Sequence, residues 1–148
     1  MRWAGFEDDA PDLAALVREL LRRDGIDQAF LATVRGAEAP RIHPVYVGIV
    51  DGRLYTFASG VKRADLEQDG RYALHPHQDD AVPNEAALRG RARTVDDPVE
   101  RDEVAATWSF TPGAEFGLFE LDIETAVVGR RDSADEWPPR YTSWRASD

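Results

Sequence analysis

Basic residues cluster at the predicted start of a short helix in the middle of the chain. Gly60 frees the backbone at this start, and Lys62 and Arg63 follow it closely. The amide groups of residues 61–63 point out of such a helix start, with the positive end of the helix dipole behind them. These amides and the two formal charges predict a binding site for a phosphate monoester. A solvent-exposed helix start with ordinary surface charges is the alternative interpretation.

Two arginines on other predicted strands can join this phosphate site. Arg41 begins a strand that precedes the helix in the sequence, and Arg71 begins the strand that follows it. Lys62 is the only lysine in a chain with 18 basic residues. Because the chain otherwise uses arginine, the retained lysine is a candidate functional residue, with chance as the alternative.

Other chemistry-bearing residues give weaker signals. His43, His75 and His77 are possible metal ligands, but no acidic residue lies at a spacing that supplies a third ligand. Strand histidines that are satisfied by hydrogen bonds are therefore the favoured interpretation. The chain has no Gly-x-Ser-x-Gly motif and no cysteine, which excludes thiol catalysis, thiolate metal sites and disulfides. No catalytic residue is assigned.

Composition limits the class of protein and the kinds of partner. The chain has 148 residues, 43% hydrophobic and 31% charged, which predicts a single globular domain over residues 1–148. A net charge of -10 argues against nucleic acid or an anionic membrane as the partner. No apolar run reaches the roughly 20 residues that span a bilayer, and the N-terminus lacks the pattern of a signal peptide. A cytoplasmic location is therefore expected.

The order of the predicted elements indicates an α+β fold with a mainly antiparallel sheet. Asp51-Gly52 between apolar runs is a strong hairpin signal, because both central positions of the favoured turn need positive φ. About six strands and two or three helices are expected, and closure into a small barrel is favoured. The strands are expected at residues 28–35, 41–50, 53–59, 71–76, 86–95 and 119–128, the helices at residues 9–25, 60–69 and 97–108, and a last short strand or tail at residues 140–145.

Pro44 lies inside the predicted strand at residues 41–50. Proline has no backbone donor, so the ladder is expected to be interrupted there by an edge or a bulge. Such a gap leaves backbone groups free to meet a ligand. At the ends of the chain, residues 1–27 are expected to form an N-terminal helical segment and residues 132–148 a C-terminal tail.

The motifs resemble those of the pyridoxamine 5'-phosphate oxidase-like family, flavin and deazaflavin oxidoreductases with the FMN-binding split-barrel fold. The resemblance rests on the order and spacing of several short motifs and extends over nearly the whole chain. These motifs are Phe30-Leu-Ala-Thr-Val-Arg35 with Ala39-Pro-Arg-Ile-His-Pro-Val45, Asp51-Gly-Arg-Leu-Tyr55, Lys62-Arg-Ala-Asp-Leu66 with Asp69-Gly-Arg-Tyr-Ala-Leu74, and Leu88-Arg-Gly-Arg-Ala92 with Asp96.

The resemblance implies a six-stranded split β-barrel that forms a homodimer, with a flavin-type cofactor in each of two clefts at the interface. It implies that the phosphate lies around Arg41 and the segment from Ser59 to Arg63, with Lys62 the best candidate. Trp144, in the aromatic C-terminal tail, is expected to cover part of the cleft, with a frayed chain end as the alternative. The backbone expected along the ring system is that of His43, Pro44, Val45, Phe57, Ala58 and Ser59.

The implied function is an FMN-dependent oxidoreductase that passes a hydride to or from a small organic substrate. The cofactor supplies this chemistry, so no protein acid or base is needed for the hydride step itself. A deazaflavin coenzyme in place of FMN, a non-catalytic binder of flavin, deazaflavin or haem, and a dimer whose cofactor site has decayed are the alternatives. The chain lacks the basic C-terminal segment of the true pyridoxamine phosphate oxidases, which argues against vitamin B6 oxidation.

Overall fold

An antiparallel sheet of nine strands carries the fold. The computed structural model describes residues 1–148. The prediction of an α+β fold with a mainly antiparallel sheet is confirmed. The helices are α1 (Trp3–Asp9), α2 (Pro11–Leu21), α3 (Gly60–Gln68) and α4 (Pro98–Ala105). The strands are β1 (Arg22–Arg23), β2 (Ile26–Thr33), β3 (Arg41–Tyr46), β4 (Gly48–Val50), β5 (Arg53–Ala58), β6 (Arg71–Pro76), β7 (Glu85–Thr94), β8 (Gly117–Arg130) and β9 (Arg140–Arg145).

The sheet does not close into a complete barrel. Its main path runs β1-β2-β6-β7-β8-β5-β4, with β3 paired to β2 and β9 paired to β8. Strands β3 and β5 come close to each other but share no ladder, so the barrel is split between them. Strand β8, with 14 residues, joins the two halves because it pairs with β7, β5 and β9 along its length. The unpaired boundary between β3 and β5 is called the seam below, and across it the Thr56 hydroxyl donates to the carbonyl of Tyr46 at 2.8 Å.

The expected count of about six strands and two or three helices is too low, and one reason is the segment at residues 41–50. The structure divides this segment into β3 and β4 at Val47. The Val47 N–H still donates to the carbonyl of Asp27 at 3.0 Å, in register with the β2–β3 pairing, and from Gly48 onward the chain pairs with β5 instead. The interruption expected at Pro44 falls three residues later, since Pro44 itself stands opposite Phe30 in the β2–β3 pairing.

The helix expected at residues 9–25 is also divided. Ala10 leaves the helical region, with φ -140° and ψ 64°, because the residue before a proline is driven out of the α conformation. Helix α2 then ends at Leu21, and Arg22 and Arg23 pair with β2 as the short strand β1. Asp24 and Gly25, both with positive φ, make the turn between these two strands.

The main core lies between the two N-terminal helices and the sheet. Helix α2 contributes Leu16, Val17 and Leu21, all buried. Helix α1 adds Trp3 and Phe6, both fully buried, with ring centroids 5.4 Å apart in an edge-to-face arrangement. None of the helices combines the length and the apolar character that crossing a bilayer requires.

A second, smaller core cluster lies beside the seam. It consists of Tyr55, Phe57, Val95, Val104 and Leu118, which come from β5, α4, β8 and the segment before α4. Asp97 begins α4 as its N-cap, as expected, and its carboxylate accepts a hydrogen bond from the Val99 amide at 2.9 Å. The cluster therefore anchors α4 and the loop after it against β5.

Candidate functional site

A cavity of about 290 Å³ opens at the seam between β3 and β5. Strand β3 contributes Pro44, Val45 and Tyr46, and β5 contributes Phe57 from the other side. Lys62 at the start of α3 and three aromatic residues of the loop after α4 complete the wall. The full lining consists of Gln28, Pro44, Val45, Tyr46, Phe57, Lys62, His77, Trp108, Phe110 and Phe116, and it is called the site cavity below.

Aromatic rings form most of the apolar wall of the site cavity. Phe57 meets Trp108 edge-to-face with centroids 4.9 Å apart, and Phe110 lies 6.2 Å from Tyr46 and 5.5 Å from Phe116. Flat π surfaces in contact with one another present a broad apolar face to a ligand. The arrangement suits a planar conjugated ring better than a branched or highly polar molecule.

Lys62 is the cation of the site cavity, and it forms no ion pair or hydrogen bond within the chain. It lies in the first turn of α3, where the N-cap residue Ser59 makes no side-chain capping bond. Gly60 adopts a φ of 62°, a conformation that favours glycine, and a side chain there would meet no neighbouring atom within 4 Å. An uncapped helix start beside a free ammonium group favours an anion.

Arg63 and Arg41, the other basic residues expected at the phosphate, already have partners inside the chain. The guanidinium of Arg63 donates to Glu67 at 2.6 Å and to the carbonyls of Ala114 and Glu115. These contacts fix the loop after α4 to α3. Arg41 donates to Asp65 at 3.0 Å and to Glu38 at 3.2 Å. Arg71, the fourth cation expected there, donates to Asp69 at 2.6 Å and to the carbonyl of Gly36 at 2.9 Å. Of the four expected cations, only Lys62 lines the site cavity.

Asp65 is a buried carboxylate that ties α3 to the sheet. Its side chain is 0% exposed and accepts hydrogen bonds from Thr33 at 2.7 Å, Arg35 at 3.0 Å and Arg41 at 3.0 Å. Burial alone would raise the pKa of Asp65, but these hydrogen bonds outweigh it and hold the pKa below its ordinary value. Asp65 is therefore ionised and sets the position of α3, and with it Lys62, against β2 and β3.

His43 is joined to the same network through Thr33. The His43 Nε2 lies 3.0 Å from Thr33 Oγ1, and the single hydroxyl hydrogen of Thr33 goes to Asp65. His43 Nε2 must therefore carry the hydrogen and donate it. Burial lowers the pKa of His43, and the positive charge of Lys62 lowers it further. The imidazole is neutral, and its Nδ1 is left as an acceptor.

The two remaining histidines lie at the end of β6 and after it. His77 lines the site cavity and stacks on Phe30 with centroids 4.3 Å apart. Burial lowers its pKa, as does the nearby positive charge of Arg23, so this imidazole is also neutral near pH 7. His75 Nδ1 lies 2.6 Å from the carbonyl of Pro76. No group of three or more metal-binding side chains comes together in the structure.

The structure brings together part of the residue set expected from the sequence. Pro44, Val45, Phe57 and Lys62 all line the site cavity. The backbone of His43, Ala58 and Ser59 adjoins them along β3 and at the end of β5. Arg41, Arg63 and Trp144 are not in the lining of the site cavity.

Trp144 lies in β9, which confirms the short-strand alternative for residues 140–145. It stands opposite Ala126 of β8 and packs on Phe6 with ring centroids 4.8 Å apart. This tryptophan therefore covers the main core.

Sequence reasoning missed the aromatic part of the site. Trp108 falls at the end of the helix expected at residues 97–108, whereas α4 ends at Ala105. Phe110 and Phe116 lie in a loop with no strand or helix periodicity, so no pattern placed any of the three at the site. Their signal was compositional, since three aromatic residues fall within a polar loop that also contains Pro112-Gly113. Aromatic residues in a loop that is not itself a core element mark a surface that contacts something else.

Comparison with known proteins identifies the fold. No protein-family model matches the sequence, and no curated protein matches it. A NimC/NimA family protein from Clostridium acetobutylicum matches with a TM-score of 0.64 and 16% identity, over 95% of this chain and 98% of that one. A putative pyridoxamine 5'-phosphate oxidase from Listeria innocua matches with a TM-score of 0.59 and 16% identity, over 77% of this chain and 95% of that one.

A haem-binding protein from Mycobacterium smegmatis matches with a TM-score of 0.60 and 17% identity, over 80% of this chain. This chain spans only 52% of the length of that protein. Identities this low establish the architecture alone, and the architecture agrees with the open seam and the antiparallel sheet described above. The chain has the fold of the pyridoxamine 5'-phosphate oxidase-like split barrels.

Proposed function

We propose that this protein is an FMN-dependent oxidoreductase that passes a hydride between the flavin and a small organic molecule. The observation that carries the proposal is the site cavity, where an unpaired Lys62 at an uncapped helix start lies beside a wall of aromatic rings. FMN combines the two chemical features that this site complements, a planar conjugated ring and a terminal phosphate.

The residue types of the site cavity are chemically suited to this cofactor. Lys62 and the first amides of α3 would hold the phosphate, because a flexible ammonium group can follow a phosphate where a guanidinium would require a fixed geometry. Tyr46, Phe57 and the aromatic loop after α4 would hold the ring. When bound, FMN supplies the hydride chemistry. The chain binds and orients the ring, and its apolar walls exclude water from it.

A second copy of the chain would complete the site, and we propose a homodimer. The β2–β3 register places Phe30, Ile42 and Tyr46 on one outer face of the sheet, where they are 41%, 72% and 39% exposed. Pro44 and Tyr46 belong both to this face and to the lining of the site cavity. A subunit that covers the face would therefore also close the cavity.

Titration of the purified protein with FMN tests the proposal directly. Binding is expected to be stoichiometric with the subunit, with loss of free-flavin fluorescence. The bound flavin is then expected to be reduced by NAD(P)H and reoxidised by an added acceptor. Binding without reduction would favour a non-catalytic flavin carrier, and no binding would contradict the proposal. A parallel titration with a deazaflavin coenzyme identifies which of the two ring systems the site prefers.

Haem is a second candidate ligand, supported by His77. Its neutral imidazole lines the site cavity, and a neutral ring nitrogen is a common iron ligand. The M. smegmatis protein with the same fold is described as haem-binding. A hemin titration of the wild-type protein and of the His77→Ala variant tests this candidate. A Soret band that shifts on binding and is lost in the variant would support it.

A further inference from the structure

A second cavity, of about 460 Å³, lies next to the site cavity. The backbone from Tyr46 to Asp51 forms one side of it, and Thr107, Trp108 and Ser109 form another. Tyr46 and Trp108 line both cavities. These two residues therefore lie at the boundary between the cavities, which is called the wall below.

The Trp108 indole is held in this wall by close packing on β4 and β5. A Cβ atom built on Gly48 would lie 2.8 Å from Trp108 Cζ3, so the indole lies directly against the glycine backbone. Trp108 also meets Phe57 edge-to-face with centroids 4.9 Å apart. Gly48 thus provides the space that the indole occupies, and any larger residue there would displace the ring.

The backbone on both sides of Trp108 is also fixed. The Trp108 amide donates to the carbonyl of Ala105 at 3.0 Å, which continues the last turn of α4. Further along the loop, Arg101 donates to the carbonyls of Phe116 at 2.7 Å and Gly113 at 3.0 Å. The indole is consequently attached to a loop that is anchored at its beginning and at its end.

We propose that Trp108 is a specificity-determining residue that sets how wide a planar ligand the site accepts. This inference rests on the proposed function of the site cavity as a flavin site. With the indole in place, the cavity ends at the wall, which favours a ring of three fused members over a wider one. Without it, the two cavities become continuous, and a wider ring, such as a tetrapyrrole macrocycle, binds more readily than in the wild type.

The test is the ratio of the affinities for FMN and hemin in the wild-type protein and in the Trp108→Ala variant. The variant is expected to shift this ratio toward hemin by about tenfold or more, as when a pocket gains room for extra ligand atoms. Trp137→Ala is the matched control, because Trp137 is 75% exposed and lines neither cavity. The control is expected to keep the wild-type ratio. An unchanged ratio in a Trp108→Ala protein that still binds FMN would overturn the inference.

Two further variants keep the test decisive if Trp108→Ala does not fold. Trp108→Leu retains an apolar contact with Phe57 and shortens the wall, so it is expected to shift the ratio in the same direction. Gly48→Ala is expected to push the indole toward the site cavity and so to weaken FMN binding. The Gly48→Ala/Trp108→Leu double variant is expected to regain FMN affinity, because the clash between the new methyl group and the indole is removed. Equal FMN affinity in the Gly48→Ala single and double variants would count against the proposed wall. If the wild-type protein bound neither FMN nor hemin, the proposed function itself would fail.

Discussion

Lys62 is the residue on which the phosphate assignment depends. Replacement by alanine is expected to weaken FMN binding by about 1.5–3 kcal/mol, the range for a hydrogen bond to a charged group. The fold should be unaffected, because Lys62 makes no ion pair within the chain. Fluorescence titration measures the affinity, and Arg145→Ala, an exposed residue at the end of β9, is the control. Equal affinities in the two variants would place the phosphate elsewhere.

Asp65 is expected to matter for stability, because its carboxylate has three donors and no exposed surface. Asp65→Asn removes the charge and should lower the free energy of unfolding by about 2–3 kcal/mol in urea denaturation. The loss of stability is limited because the side chains of Arg35 and Arg41 are 34% and 38% exposed, so water can solvate them once the carboxylate charge is removed. Glu38→Gln, which removes only the exposed partner of Arg41, should change stability by less than about 1 kcal/mol. Similar losses in both variants would contradict this role.

His43 should make stability depend on pH below neutrality. Its pKa in the folded protein is lower than the ordinary value of 6.5, so the unfolded chain takes up the proton first as the pH falls. The free energy of unfolding should therefore decrease as the pH falls through about 6.5 and level off below the folded pKa. His77, whose pKa is also lowered, acts in the same direction.

His43→Gln isolates this contribution, because glutamine keeps an N–H donor for Thr33 and does not titrate. The fall in unfolding free energy between about pH 7 and pH 5 should be smaller in His43→Gln than in the wild type. Chemical denaturation at several pH values measures the difference. Parallel pH profiles in the two proteins would show that His43 is not the titrating group.

Some residue-scale features were predictable and others were not. Lys62 stood out in the sequence because it is the only lysine and follows a glycine at a helix start. The partner of Arg41 did not, because Asp65 is 24 residues away and meets it only after α3 packs on β2 and β3. A single ion pair that the fold creates thus decides whether an arginine is available to a ligand.

At the scale of elements, local signals placed most strands and helices well. The Asp51-Gly52 turn and the cap at Asp97 depend on neighbouring residues, and the structure has both of them. The divisions at Ala10 and Val47 were missed. The strand divides at Val47 because the chain pairs with β2 before it and with β5 after it, and no local pattern contains this change of partner.

Gly90 illustrates a constraint at the scale of elements. It lies in β7, where a Cβ atom would clash with the Asp122 carbonyl oxygen of β8. Gly90→Ala should therefore destabilise the protein by about 3 kcal/mol or prevent folding, since backbone cannot move aside as a side chain can. Thermal and urea unfolding measure the effect.

Gly36→Ala is the matched comparison for this prediction. Gly36 has a φ of 55° but no atom within 4 Å of a built Cβ. Its replacement tests the conformational penalty alone, which is about 1–2 kcal/mol. If Gly36→Ala were as destabilising as Gly90→Ala, the close approach of β7 and β8 would not be the dominant constraint.

At the scale of the whole molecule, hairpin signals and the order of the elements were sufficient to predict the α+β class. They did not show that β3 and β5 would remain unpaired. The pairing of strands across a sheet depends on contacts between segments that are distant in the sequence. Here the seam depends on the pairing of β8 with β5, β7 and β9. The position of the site cavity is therefore a property of the assembled sheet.

The outer face of β2 and β3 gives the prediction that belongs to the whole molecule. Phe30, Ile42 and Tyr46 are exposed there next to the site cavity, and exposed apolar patches of this kind mark interfaces. We predict a two-fold dimer that buries at least about 2,000 Å² in total, as obligate dimers do. Sedimentation of the wild-type protein as a monomer at micromolar concentration would contradict the prediction.

The Ile42→Glu variant tests whether this face is the interface and whether the interface completes the site. Ile42 is 72% exposed in the subunit, so glutamate should be tolerated by the fold but not by a buried contact between subunits. The variant is expected to sediment as a monomer and to bind FMN about tenfold or more weakly, because the cavity loses its second wall. Val99→Glu, at a 63% exposed aliphatic residue of α4, is the control and should remain dimeric with unchanged affinity. A monomeric Ile42→Glu protein with wild-type FMN affinity would show that each subunit holds the cofactor alone.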